Sequence, residues 1–322
     1  MSKIIELTTE IPSHYAGKRL DQVLASLYSQ HSRERIKSWI LSGACSINGH
    51  RCLPKNKVAG NETVQIKAEV PAPITLKAEP LELDIIYEDE DLIIVNKSDN
   101  CVVHPANGNT SGTLLNALLH HTPILEQLPR AGIVHRLDKD TTGLLAVAKN
   151  LKAYTHLVNS LHTKIIKRIY EAIVLGTPTA GGTINKPIGR HPTNRIKMSV
   201  VASGKSSITH YRIIQKFPYH THLRVQLDTG RTHQIRVHLK DLRHSIVGDK
   251  LYGSRMRMPK GATEILLKTL QTFPRQALHA KQLGLIHPTR KGKMISWEAP
   301  LPNDMRTLLR LLRISYPNST LT

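Results

Sequence analysis

Residues 135–149 read HRLDKDTTGLLAVAK, a dense polar loop that runs directly into the apolar segment Gly143–Ala148. A short, continuously apolar run of this kind marks a strand covered inside a sheet. Ahead of it, Asp138 follows a basic residue and precedes the rest of the loop. A carboxylate beside cations stays ionised, as a nucleophile or base must at neutral pH. A turn in which Asp and Thr act as local caps accounts for the same residues, and spacing alone favours that account.

Outward from this stretch, further apolar runs predict strands at Leu92–Val95, Ile169–Leu175, Ile208–Ile214 and Leu223–Leu227. Helices are predicted after Asn150 (Ala153, Leu157, Leu161) and after Thr232 (Ile235, Leu239, Leu242). The βαβα rhythm of a parallel sheet is missing, so the fold class is α+β with a mixed, mostly antiparallel sheet. A second polar cluster, TGRTHQIR at Thr229–Arg236, reads as a strand-to-helix turn presenting Arg231. Such a turn can pair a carboxylate or a phosphate, although an arginine on an exposed turn fits equally.

The N-terminal part is a separate module. Leu20, Val23, Leu24, Leu27 and Tyr28 follow the spacing of one helix face. A second helix is expected after Ser32 as N-cap, with Ile36, Trp39 and Ile40 as its apolar stripe and Gly43 as its stop. Asn48-Gly49 then predicts a hairpin, and Thr63–Lys67 a closing strand. Arg33 and Lys37 sit four apart on a face away from the stripe. The expected domains are 15–75, a proline-containing linker at 76–84, and 85–315. The tail after Arg313 is expected to fray.

The chain has 322 residues, with 45 Lys+Arg against 24 Asp+Glu, a net charge of +21 and a pI near 10.0. That balance in a foldable chain points to a polyanion, either nucleic acid or an anionic membrane. The membrane reading weakens because no apolar run approaches the ~20 residues of a spanning helix. The start MSKIIELTTE carries two acids and no apolar core, so a secretory signal is not expected. The excess is concentrated: Ala172 to Leu227 contains no Asp or Glu but holds Lys186, Arg190, Arg195, Lys197, Lys205, Arg212, Lys216 and Arg224. Single-sign enrichment favours a phosphate-tracking face over a mixed solubilising surface.

Three cysteines, Cys45, Cys52 and Cys101, are too few for a disulfide framework or a zinc knuckle. His120-His121 and the pair His220 and His222 invite a metal, but no adjacent carboxylate or cysteine in sequence completes a site, and none is expected. No phosphate-binding loop, dinucleotide fingerprint or nucleophile elbow occurs, which argues against nucleotide hydrolysis, dinucleotide redox chemistry and the commonest hydrolases.

Taken together, the blocks resemble the RluA/RluD-type family of RNA pseudouridine synthases. The resemblance rests on HRLDKDTTGLLAVAK, YEDEDLIIVNKSDNCVVHP (87–105), TGRTHQIRVHL (229–239), IVGDKLYG (246–253) and RQALHAKQLGLIHP (275–288), all in family order. It covers residues 15 to 312. The helix–helix–hairpin module resembles the RNA-binding domain named after ribosomal protein S-four, and with it the likeness narrows to RluD-type synthases of large-subunit ribosomal RNA.

The resemblance implies a pseudouridine synthase fold behind a small N-terminal α/β RNA-binding domain. It also implies roles residue by residue. Asp138 stands at the single essential aspartate. Tyr170, in KRIYEAIV, matches the tyrosine that stacks on the target base. Arg231 matches the arginine that ion-pairs with the aspartate and keeps it ionised, with Ile235 as the apolar pocket residue beside it. Arg136 matches the arginine that fills the space left by the flipped nucleotide. Asn96 and Lys97 match an NKP-type turn with a structural or site-lining role, and His135 lies beside the site in a structural or RNA-contacting role. Arg33 and Lys37 complete the expected RNA-binding set. One departure stands out: Ser98-Asp99-Asn100 replaces the usual Pro-Ala-Gly, leaving Asn100 to supply a left-handed position.

The implied partner is large-subunit ribosomal RNA or a ribosomal precursor, met in the cytoplasm by a monomer. No membrane, metal, nucleotide or other cofactor is expected, because the isomerisation needs no redox step and no external group. Two other readings remain. A non-catalytic RNA-binding or ribosome assembly factor would use the same basic surface but would not need Asp138, Tyr170 and Arg231 together. A glycoside hydrolase built on Asp138 and Asp140 is disfavoured, because acids at i, i+2 seldom flank a sugar at the required ~5–9.5 Å.

Overall fold

The computed structural model describes residues 3–28, 31, 33–70, 77–105, 109–253, 259–290 and 292–317. The chain divides into two units, Met1–Leu76 and Lys77–Thr322.

The first unit contains β1 (Lys3–Glu10), α1 (Leu20–Leu27), α2 (Arg33–Ser42), β2 (Cys45–Ile47), β3 (His50–Arg51) and β4 (Thr63–Val70), with sheet order β1-β4-β2-β3. The predicted helix faces are its core: Leu20, Val23, Leu24, Ile36, Trp39 and Ile40 are all buried. Asn48 and Gly49 turn the β2–β3 hairpin with φ of +47° and +79°. Ser32, expected as a helix cap, lies outside the described residues, as do residues 71–76 of the linker region. A boundary at residue 15 omits β1, which pairs with β4 along its full length from Lys3↔Val70 to Glu10↔Thr63. Its inward residues Ile5, Leu7 and Thr9 are only half-buried between exposed neighbours, and the exposed Ile4 beside Ile5 blurs the apolar alternation that reveals a strand.

The second unit contains, in order, β5 (Ile85–Glu88), β6 (Leu92–Lys97), α3 (Leu114–His121), β7 (Thr142–Ala148), α4 (Leu151–His162), β8 (Lys167–Leu175), β9 (Gly182–Asn185), β10 (Ile188–Arg190), β11 (Met198–Val200), β12 (Ile208–Lys216), β13 (His220–Leu227), α5 (Gln234–Asp241), α6 (Glu264–Gln271), β14 (Leu278–Ile286), β15 (Met294–Glu298) and α7 (Asn303–Ser315). Its main sheet runs β5-β6-β7-β14-β8-β13-β12-β9, with β15 also on β14, while β10 and β11 form a separate ribbon. Every pairing is antiparallel except β7 with β14, so the expected α+β class with a mostly antiparallel sheet holds. Helix α7 continues two residues past the point where fraying was expected; residues 318–322 lie outside the described set.

All seven residues of β7 are buried, as the unbroken apolar run requires. Its entry explains the glycine of DKDTTG. Gly143 pairs with Ala280 in the parallel ladder at φ +110°, and a Cβ there would lie 2.3 Å from the Ala280 carbonyl oxygen. Only glycine lets the loop enter the sheet at this point. The loop 135–141 therefore emerges beside β14 and β8, and the turn leading into α5 follows β13, which pairs with β8 on its other edge.

Candidate active site

The loop around Asp138 is fastened at nearly every residue. His135 Nε2 accepts the Ala146 amide at 3.0 Å, and the Thr141 amide donates to the Asp138 carbonyl at 3.0 Å. Lys97 Nζ donates to the Lys139 carbonyl at 2.8 Å, and also to the carbonyls of Ser98 and Cys101. Arg275 Nη1 reaches the Asp140 carbonyl at 3.1 Å while its Nε pairs with Asp304 at 2.7 Å. Gln276 donates to Thr141 Oγ1, and Thr142 Oγ1 bonds His279 Nδ1 at 2.9 Å. The turn and the site are thus the same object: the loop is capped locally, and the Asp138 side chain is left to face a cleft.

That cleft encloses about 1200 Å³ and is lined by Asp138, Tyr170, Arg231, Ile235, Arg136, His104, Arg168 and Arg236 among others. Inside it, Arg236 Nη1 donates to Asp138 Oδ2 at 3.0 Å. The same guanidinium grips Asp249 through Nε (2.7 Å) and Nη2 (2.8 Å). Asp249 also accepts the amides of Leu251 and Tyr252, and the Tyr252 ring lies 5.0 Å from the guanidinium carbon. Burial works against the charge on Arg236, but the hydrogen bonds and charges of Asp249 and Asp138 outweigh it and raise its pKa. Burial likewise opposes ionisation of Asp249, yet Arg236 and the two amides hold its carboxyl below the usual range. His233, in a left-handed conformation at φ +56°, bonds the Tyr252 hydroxyl through Nδ1 at 2.7 Å and brings Nε2 to 4.0 Å from Asp138. Burial lowers its pKa despite the nearby Asp138.

Most expected residues converge here, and one pairing is corrected. Asp138, Tyr170, Ile235, Arg136, His135 and Arg231 all line the cleft. Tyr170 and Ile235 are buried, while Arg136 and Arg231 are exposed. The partner of Asp138 is Arg236, not Arg231. Arg231 sits in the turn before α5, where its Nε donates to the Ser206 carbonyl at 3.3 Å. Arg236 lies within the first helical turn and is buried against Asp249, so of the two arginines it is the one aimed at Asp138.

Asn96 and Lys97 do not line the cleft. Asn96 ties its amide to Asp84 at 2.8 Å, and Lys97 is buried with its ammonium spent on three carbonyls. Burial drops the Lys97 pKa to about 8. Of their two expected roles, the structural one fits. Asn100 does take the left-handed conformation, at φ +52°. In the first unit, Arg33 is held by the buried Asp21 at 2.6 Å together with Arg19, and both arginines remain half-exposed; Lys37 is exposed. None of the eight basic residues of the acid-free stretch lines the cleft, whose cations come from other segments. Lys186, for example, pairs with Asp241 at 2.6 Å.

Sequence reasoning missed Arg236, Asp249 and Tyr252 as a unit. The signal was present, since TGRTHQIR ends on Arg236 and IVGDKLYG supplies the other two, but nothing in spacing links blocks that far apart. The histidine pairs do meet carboxylates in space: His121 bonds Glu88 and His222 bonds Glu171, each at 2.8 Å. Each is a single pair rather than a convergent metal set. Asp89, Asp91 and His287 also gather within 4.8 Å. Their oxygens already accept from Tyr87, His287, Thr289, Asn150 and two backbone amides, which makes the group a clasp between segments. No described helix is long and apolar enough to cross a membrane.

Comparison with known proteins agrees with this geometry. The family described as RNA pseudouridylate synthase matches residues 91–241. A Salmonella typhimurium protein named ribosomal large subunit pseudouridine synthase D is 51% identical over 317 residues, spanning 98% of this chain and 97% of its own. The Pseudomonas aeruginosa protein of the same name is 50% identical over 313 residues, spanning 97% and 98%. The solved structure of human RNA pseudouridylate synthase domain containing 4 superposes with a TM-score of 0.56 at 25% identity, over 71% of this chain and 92% of that one. Family match, fold and near-full-length relatives converge, and the chain belongs to the RNA pseudouridylate synthase family.

Proposed function

We propose that this protein isomerises uridine to pseudouridine in large-subunit ribosomal RNA, as a cytoplasmic monomer acting on free RNA or a ribosomal precursor. The observation that carries the reading is Asp138, held by Arg236 at 3.0 Å in a cleft that also contains buried Tyr170. A binding protein has no use for a carboxylate so fastened. The relatives' printed name supplies the substrate class.

In the reaction the C1′–N1 bond of uridine breaks and its electron pair passes to the uracil ring. The ring turns, C5 bonds to C1′, the C5 proton leaves and N1 gains one. Asp138 can assist by attacking ribose, adding to the ring or removing a ribose proton, and each route requires the ionised carboxylate. The target base must leave its stack, at a cost of a few kcal/mol. Stacking on Tyr170 offsets about 1–3 kcal/mol of that, and the exposed Arg136 fills the gap left in the RNA. Arg33 and Lys37 in the first unit add phosphate contacts. The test is to incubate transcribed large-subunit RNA with the protein and map pseudouridine chemically; new pseudouridine at discrete positions supports the reading, and RNA left with every uridine unchanged refutes it.

A further inference from the structure

Arg168 lies on β8 two residues before Tyr170, so both side chains leave the same face of the strand and line the same cleft. It is only 7% exposed. A buried cation is stable when a carboxylate faces it. Among the described residues no carboxylate forms an ion pair with Arg168: its side chain makes one long hydrogen bond, 3.3 Å from Nη2 to the Asp228 carbonyl, and its Nε has no partner. The Asp228 carboxylate lies 3.2 Å from His210 and favours the Arg168 charge only through its field, which burial outweighs.

The surroundings hold this guanidinium in place without forming an ion pair with it. A Cβ on Gly230 would lie 2.7 Å from Arg168 Nη1, so the TGR turn packs directly on the guanidinium. His135 stands close enough for burial and the charge of Arg168 to bring its pKa down to about 3. It is therefore neutral. Because its Nε2 accepts from Ala146, its proton sits on Nδ1, which also lacks a partner. Two buried donors without acceptors thus belong to side chains that line the same cleft as the tyrosine expected to stack on the base. Buried donors of this kind ordinarily have an acceptor, and these two have none among the described residues.

We infer that Arg168 is a catalytic residue that stabilises the negative charge developing on the uracil ring as the C1′–N1 bond breaks. The inference rests on the uridine isomerisation proposed above. When the bonding pair passes to N1, the charge spreads onto the ring carbonyl oxygens, and a guanidinium on the same strand face as Tyr170 meets that edge. No proton is transferred and no further reactant is needed. The charge returns to the new C5–C1′ bond when the ring recombines, whichever route Asp138 takes. A phosphate is the poorer occupant, because the exposed Arg136 and Arg231 already stand at the rim where a backbone would run.

The experiment compares wild type, Arg168→Met and Arg168→Lys in single-turnover pseudouridine formation at saturating RNA, with RNA affinity and thermal unfolding measured alongside. Removing one preorganised electrostatic partner of a transition state lowers rates about 100–1000-fold. Arg168→Met is expected to show that loss with RNA affinity within about threefold and a melting temperature unchanged or raised, since replacing a buried unpaired charge relieves desolvation. Arg168→Lys is expected to recover at least about tenfold. Should Arg168→Met not fold, Gly230→Ala displaces the guanidinium directly and is expected to lower the rate while sparing affinity. A folded Arg168→Met with the wild-type rate, or a loss confined to RNA affinity, overturns the inference. Failure of wild type to form pseudouridine would instead overturn the reading it rests on.

Discussion

Asp249 binds Arg236 through two nitrogens, at 2.7 and 2.8 Å, and thereby aims the third at Asp138, 3.0 Å away. One guanidinium spans two carboxylates that lie 111 residues apart in the chain, and this bridge replaces the Arg231 pairing expected from sequence. Lysine cannot make the same bridge, since it offers a point charge rather than a planar fork. Arg236→Lys should therefore lower the single-turnover rate about 100-fold, the loss expected when a reacting group is misplaced by about 1 Å. Arg231→Ala should lower it less than about tenfold at saturating RNA. Equal losses in the two variants would mean that Arg231 acts on Asp138 despite its position.

Asp249 itself should matter for stability first. It is buried, and Asp249→Asn leaves Arg236 short of its main counter-charge. Breaking one side of a buried pair costs about 3–5 kcal/mol, partly offset here by Asp138. Urea unfolding should show a lower midpoint with an unchanged slope; a midpoint equal to wild type would mean that Asp138 suffices for Arg236.

How far the sequence reaches is clear from these elements. Strand β7, helices α4 and α5 and the N-terminal hairpin are all written locally, as apolar runs, helical spacing and Asn48-Gly49. Asp138 and Tyr170 were legible through resemblance. Strand β1 was not, because its inward residues Ile5, Leu7 and Thr9 are only half-buried and the exposed Ile4 blurs their alternation. Nor was the Arg236–Asp249 bridge, because two arginines five residues apart in TGRTHQIR look alike until the helix turns one inward. The basic residues of the acid-free stretch are exposed or half-buried, and none of them enters the cleft, because the cations there come from other segments.

Lys97 separates a binding role from a positioning role. Its ammonium ties Ser98, Cys101 and Lys139 together. Lys97→Met removes a charge-assisted donor from three carbonyls, each bond worth about 1.5–3 kcal/mol, and frees the loop bearing Asp138. The rate should fall at least about tenfold, while RNA affinity stays as in wild type. Weakened affinity with an unchanged rate would restore the RNA-contacting role.

His220 should make the protein acid-sensitive. It is 1% exposed, neither ring nitrogen has a partner among the described residues, and burial lowers its pKa from 6.5 to about 4. Between those values the unfolded chain binds a proton that the folded chain refuses. Stability from this group is thus complete above pH 6.5 and is lost as pH falls toward 4. Near the middle of that window His220 alone contributes a slope of about 1.4 kcal/mol per pH unit. His220→Phe should flatten the measured dependence of unfolding free energy on pH by about that amount; an unchanged slope would mean that the ring is protonated in the folded state.

Asp138 is the one group that every route of the isomerisation requires. Asp138→Asn leaves Arg236 its two bonds to Asp249, so the variant should fold and bind RNA as wild type does. Pseudouridine mapped in transcribed large-subunit RNA after prolonged incubation should appear with wild type and be absent with Asp138→Asn. Pseudouridine formed by a pure Asp138→Asn preparation at the same positions would contradict the account.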